Sequence, residues 1–151
     1  MPVVDEMVCF ALYSASRGTT QAYRRLLEPW GLTYPQYLVL VELWDLGPRT
    51  VRELGADLAL DSGTLSPLLR RMADAGYLTR SRDRADGRVV TVRLTERGEA
   101  LRDELEGIPL EVGSCLGLNL ESARELLDVL HRVTGSLHVA DEPTADATAS
   151  A

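Results

Sequence analysis

Cys9 and Tyr13 stand four residues apart in the apolar stretch VCFALYSASR, which begins at Val8. That spacing is about one helical turn, so the two side chains share a face if the segment is a helix. A thiolate is a nucleophile, and phenol hydroxyls that donate to it lower its pKa. Such a thiolate attacks a peroxide oxygen and becomes a sulfenic acid. An apolar surround favours an organic hydroperoxide over the better-hydrated hydrogen peroxide. The plainer role stays open, because an apolar-flanked cysteine is usually core packing. The one other cysteine is Cys115, and two cysteines in 151 residues make no disulfide scaffold.

A second group of residues is cationic. Between Leu68 and Arg93 lie seven arginines and three aspartates, a local net +4 in a chain of net charge −7. The global charge argues against nucleic acid, whereas the local patch fits a DNA reader whose acidic parts face away from the phosphates. All 16 basic residues are arginine, for which genomic base composition is a sufficient reason. His131 and His138 are seven apart and have few candidate partners, so no metal site is expected, and no cofactor motif is present. Met7, Met72, Trp30 and Trp44 read as core or interface packing.

The elements that must position these residues follow from periodicity and punctuation. A helix is expected from residue 5 to about 29, where Pro29 stops it. LTYPQYLVLVELWDLG opens on a Thr33–Gln36 capping box with Pro35 in the tolerated first turn, and Gly47-Pro48 ends it. Thr50 and Glu53 form a second box before a short helix with Val51, Leu54 and Leu58 on one face. A tight turn leads to another helix, capped by Asp61 or Ser62, with Leu65, Leu68, Leu69 and Met72 as its stripe and Gly76 at its C-terminal end. Two short helices so joined are a helix-turn-helix. Pro67 lies inside the second and removes a backbone donor.

The period then switches to two. GYLTRSRD and RVVTVRLT bracket RADG, with Val90, Val92 and Leu94 alternating against Thr91 and Arg93, which predicts a β-hairpin with Asp86-Gly87 at its tip. Thr95 caps a further helix, and Pro109, within or beside it, is a candidate kink. A last helix carries Ala123, Leu126, Leu127, Leu130 and Leu137 as a stripe. The predicted class is mainly α with a small β-wing. A winged helix-turn-helix over 31–95 is flanked by terminal helices over 5–30 and 96–139, in one domain over 1–139. Residues 140–151 read as a disordered tail. No apolar run approaches a membrane helix and the start lacks a secretory signal, so a reducing cytoplasm is expected.

In this order of elements the chain resembles the MarR family of dimeric repressors. CFALYSASR, LTYPQYLVL, LDSGTLSPLLRRM and RVVTVRLTERG are similar to its organic hydroperoxide resistance branch. The resemblance spans roughly residues 8–105. It implies that the second helix of the helix-turn-helix enters a major groove, with Asp61, Ser62, Gly63, Thr64 and Ser66 facing bases and phosphates and Arg70 and Arg71 one turn on. It implies that the wing presents Arg82, Arg84 and Arg88, with Arg88 in the minor groove and Asp86 orienting it. It places Tyr23 and Tyr34 beside the reactive thiol across a homodimer, where Tyr13 joins them by its spacing from Cys9, and gives Cys115 the role of resolving the sulfenic acid as an intersubunit disulfide. The terminal apolar stripes support pairing with a second copy, and a two-fold dimer predicts a pseudo-palindromic double-stranded operator.

The function so implied is a redox-sensing repressor, not an enzyme. The alternative is a repressor released by a bound phenolic or aromatic ligand, with Cys9 lining the pocket. A thiol peroxidase is disfavoured by the lack of a peroxidase motif or C-x-x-C. A purely protein-binding winged helix is disfavoured by the wing arginines.

Overall fold

The computed structural model describes residues 3–82 and 86–141. It divides into two compact units, Met1–Val112 and Gly113–Ala151. Among the described residues no helix is long and apolar enough to cross a membrane.

In the first unit a short 3-10 turn, Val3–Glu6, precedes helix α1 (Val8–Leu27). The helix therefore starts three residues later than its apolar content suggests. Pro29 ends the run as expected, inside a 3-10 turn over Glu28–Trp30 that closes on Gly31 at φ 64°. Helix α2 (Tyr34–Leu46) follows, and the Thr33 amide donates to Gln36 Oε1 at 2.9 Å, one arm of the expected capping box. Gly47, at φ 72°, donates its amide to Leu43 and terminates α2.

A strand that the sequence pattern does not announce comes next, β1 (Arg49–Thr50), followed directly by α3 (Val51–Asp57). At the junction the Thr50 amide donates to Glu53 Oε2 at 2.7 Å and the Glu53 amide donates to Thr50 Oγ1 at 3.2 Å. Both arms of this second capping box are thus made. The turn to α4 (Ser62–Asp74) passes through Ala59 at φ 51°, with the Leu60 amide donating to Gly55 O at 2.9 Å.

Strands β2 (Leu78–Arg82) and β3 (Val90–Leu94) pair antiparallel from Leu78↔Leu94 to Arg82↔Val90. β1 adds to the other side of β3, giving the order β1-β3-β2. Because β3 becomes the central strand, Val92 is fully buried. The hairpin connection is longer than a two-residue Asp-Gly turn. Asp86-Gly87 falls at the centre of this connection and opens a turn closed by the Val89 amide on Asp86 O at 3.0 Å.

Helix α5 (Glu96–Glu104) is capped by Thr95, which accepts from the Gly98 amide at 3.1 Å. Pro109 does not kink it. The chain breaks after Glu104, and Pro109 lies in the first turn of a separate helix, α6 (Ile108–Leu116), where a missing amide costs nothing. The core joins Leu27 of α1, Val39 and Leu40 of α2, Leu54 of α3, Leu65, Leu69 and Met72 of α4, Leu78, Val92 and Leu105. The leucine stripe expected for α4 is the face that enters it.

The second unit takes the end of α6 and the long helix α7 (Leu120–Asp141). Asn119 caps α7, its Oδ1 accepting from the Ser122 amide at 2.9 Å while its own amide donates to Ser122 Oγ at 3.1 Å. α7 continues through residues 140 and 141, which composition assigns to the tail. The remaining tail residues, 142–151, lie outside the described residues.

Candidate functional site

The face of α4 turned away from the core is set by its stripe. At 100° per residue, burial of Leu65, Leu68, Leu69 and Met72 leaves Gly63, Pro67 and Arg70 pointing outward. Ser62, Gly63, Thr64, Arg70 and Arg71 are exposed and Ser66 is half-buried. The helix runs unbroken through Pro67, so the proline neither delays its start nor stops it. Asp61 is the N-cap, and its side chain is engaged locally. Oδ1 accepts the Thr64 amide at 3.0 Å and Oδ2 accepts the Thr64 hydroxyl at 2.8 Å. These bonds, the hydroxyl first and the amide second, hold the Asp61 carboxyl below the usual range. Asp61 and Thr64 therefore present a pre-ordered cap, beside Ser62 and Ser66 and with Arg70 and Arg71 further along the helix.

The wing supplies exposed Arg82 at the end of β2 and exposed Arg88 in the turn before β3. Arg84 lies outside the described residues. Asp86 Oδ1 accepts the Arg88 amide at 3.0 Å, so the aspartate shapes the backbone that carries the arginine. Cations on the wing and on α4, joined by one small core, form a surface that can neutralise phosphates while a helix face meets base edges.

The thiols are in a different setting. Cys9 is exposed in the first turn of α1, among exposed Met7, Val8 and Phe10. Tyr13, one turn on, is 55% exposed and accepts a 2.8 Å hydrogen bond from Arg17 Nη1, whose guanidinium also lies over its ring. Tyr23 and Tyr34 are brought together, with ring centroids 4.0 Å apart and planes at 18°. Burial, then Tyr34 and Tyr37, push the Tyr23 phenol up to about 12. Burial also raises Tyr34. Both hydroxyls therefore keep their protons at neutral pH and can donate. Fourteen positions of α1 separate Cys9 from Tyr23, about 21 Å along the helix axis. The stacked pair thus cannot reach the thiol of its own chain. Cys115 is exposed in the last turn of α6. Among the described residues no group of His, Cys, Asp and Glu side chains could hold a metal ion.

The sequence pattern of the transcriptional regulators SarA/Rot matches residues 21–105, more than half of the chain. The chain belongs to the MarR-type winged-helix transcriptional regulators. Among MarR-type relatives, the regulator TtmR of Methylorubrum extorquens (strain PA1) is 44% identical over 135 residues, 89% of this chain and 69% of that protein. The organic hydroperoxide resistance transcriptional regulator of Bacillus subtilis (strain 168) is 41% identical over 138 residues, 89% of this chain and 92% of that protein. Solved structures of the Staphylococcus epidermidis regulator AbfR share the fold. Its reduced form bound to DNA has a TM-score of 0.74 at 32% identity, covering 86% of this chain and 91% of that one. Its overoxidised form bound to DNA has a TM-score of 0.72 at 34% identity, covering 86% and 90%. Its disulfide form has a TM-score of 0.63 at 34% identity, covering 84% and 89%.

Three features of this MarR-type chain escape a reading by motif. Tyr37 joins the aromatic cluster, 5.6 Å from Tyr23 and 6.4 Å edge-on from Trp44. Its i, i+3 spacing from Tyr34 is the signal that could have found it. Arg17 engages Tyr13 through an i, i+4 spacing that was equally visible. Arg49 pairs with Asp57 and lies 3.6 Å from Glu53, tying β1 to α3. Arg49–Glu53 is a legible i, i+4 pair, whereas Asp57 is reached only because β1 runs straight into the helix.

Proposed function

We propose that this regulator is a redox-sensing repressor. Reduced, it binds pseudo-palindromic operator DNA as a homodimer through α4 and the wing, and an organic hydroperoxide releases it. The observation that carries the reading is the exposure of Cys9 on an apolar face of α1 while the stacked pair lies at the far end of that helix, Tyr23, and at the start of α2, Tyr34. A second copy brings its Tyr23 and Tyr34 to the thiol and covers the exposed apolar residues. Those residues include Val3, Met7, Val8 and Phe10 near α1 and Leu126, Leu127, Val129 and Leu137 on α7. A reduced and a disulfide form of AbfR support redox control within these relatives.

In the chemical step the Cys9 thiolate attacks the terminal peroxide oxygen and the O–O bond breaks. The alkoxide leaves and takes up a proton as the alcohol, and Cys9 becomes a sulfenic acid, oxidised by two electrons. The thiol of the partner subunit's Cys115 then attacks that sulfur and water leaves, closing an intersubunit disulfide. The new oxygen competes for the Tyr34 hydrogen bond at the start of α2, the helix that leads into the helix-turn-helix. This biases the spacing of the two reading heads. The reaction belongs in a reducing cytoplasm, where both thiols rest free.

The test is intact mass and non-reducing gel mobility after about one equivalent of cumene hydroperoxide per monomer. The expected product is a dithiothreitol-reversible dimer linking Cys9 to Cys115. Cys9→Ser binds DNA and ignores peroxide, and Cys115→Ser stops at the sulfenic acid. A Cys9→Ser protein that still releases DNA with peroxide overturns the mechanism. No change at either thiol favours release by a bound small aromatic ligand instead.

A further inference from the structure

The outward face of α4 combines two features that do not suit phosphate binding. Gly63 and Pro67 lie one turn apart on it, both exposed. Proline has no amide hydrogen, so the Gly63 carbonyl lacks the donor that every interior helical carbonyl finds four residues on. A Cβ at Gly63 would stand 2.9 Å from the Asp61 Oδ1 that caps the helix. The result is a bare acceptor beside a compact apolar ring. The neighbouring Asp61 and Thr64 side chains are bonded to each other.

Such a pair matches base edges. In the major groove thymine presents a 5-methyl group, and adenine and cytosine present an exocyclic amine. We infer that Pro67 packs on one thymine methyl in each half-site, and that the Gly63 carbonyl accepts from the amine of an adjacent adenine or cytosine. Arginines on phosphates hold the duplex at any sequence. This ring and carbonyl select the sequence, so Pro67 is a specificity residue and not a tolerated defect. The inference rests on the DNA-binding reading above.

The experiment uses the reduced full-length protein. Bound duplexes are recovered from a random pool, and each thymine is then replaced in turn by deoxyuridine, which lacks the methyl. Affinities are measured by fluorescence anisotropy for wild type and Pro67→Ala. Wild type should lose about four-fold per half-site at one thymine, the worth of one buried methyl. Pro67→Ala, which keeps one methyl in place of the ring, should lose clearly less there. At the adjacent position, replacing adenine by purine or cytosine by 2-pyrimidinone should weaken wild type alone, because alanine restores the amide that occupies the Gly63 carbonyl. Alanine is the better helix former, so folding is not at risk. A wild type indifferent to every methyl, or a Pro67→Ala protein that loses as much as wild type, overturns the inference. A protein that enriches no duplex fails at the first step and removes the DNA-binding reading together with it.

Discussion

The rings of Tyr23 and Tyr34 stack with centroids 4.0 Å apart, joining the C-terminal part of α1 to the first residue of α2. This contact makes the pair a single unit of phenol donors. It also ties α1 to the helix that precedes the helix-turn-helix. Burial raises the Tyr23 pKa to about 12, from an ordinary 10.0. Folding therefore favours the neutral phenol. That contribution is complete below about pH 10 and is lost as pH climbs through the folded value. The urea midpoint should fall on going above about pH 10, and Tyr23→Phe should flatten the fall. An unchanged slope in the variant would remove Tyr23 as its source.

Gly98 sits where no larger residue fits. An added Cβ would stand 2.0 Å from Tyr77 O and 3.0 Å from Leu94 Cδ2. The close approach is held by the Thr95 amide on Tyr77 O at 3.1 Å and the Thr95 hydroxyl on Gly76 O at 2.6 Å. Gly98→Ala should push α5 off the sheet and cost about 1–3 kcal/mol, the range for overpacking, read from urea unfolding.

Ala59 shows the opposite mismatch. Its φ of 51° is left-handed, which costs an L side chain of the order of 1 kcal/mol. Ala59→Gly relieves that cost but loses some entropy on folding, so a net gain of roughly 0.5 kcal/mol is expected. Operator affinity should not change. Thermal unfolding checks the first expectation and anisotropy the second.

Asp86 and Arg88 should separate by salt dependence. Arg88→Ala removes a phosphate-neutralising charge and should reduce the slope of log K against log salt by about 1. Asp86→Ala loses the bond to the Arg88 amide but no cation. It should weaken operator binding several-fold, on the order of one hydrogen bond's net worth, with the slope retained. Equal slopes for both variants would mean that Arg88 does not touch the backbone of the duplex.

Much of this architecture is local and was readable as such. Thr50–Glu53 boxes, the leucine stripe of α4, the Gly47 stop and the alternation of Val90, Val92 and Leu94 each depend on neighbours within a few residues. Side-chain spacing alone therefore specifies them. β1 was not readable. Arg49–Thr50 has no alternation of its own, and it is a strand only because β3 offers it an edge. Pro109 was misjudged for a related reason. A proline ends one helix or begins the next according to where the preceding chain breaks, and that break follows burial of Leu105 and Ile108 in the core.

The candidate site divides along the same line. The amino-acid order alone determined that an apolar-flanked cysteine, three tyrosines and an arginine-rich hairpin share one chain with a helix-turn-helix. Tertiary structure decided which of them can act together. It stacked Tyr23 on Tyr34, added Tyr37, engaged Asp61 with Thr64, and left Cys9 about 21 Å along α1 from Tyr23. The physical reason is that helical spacing fixes direction within one turn, whereas distance between elements is set by what the core buries.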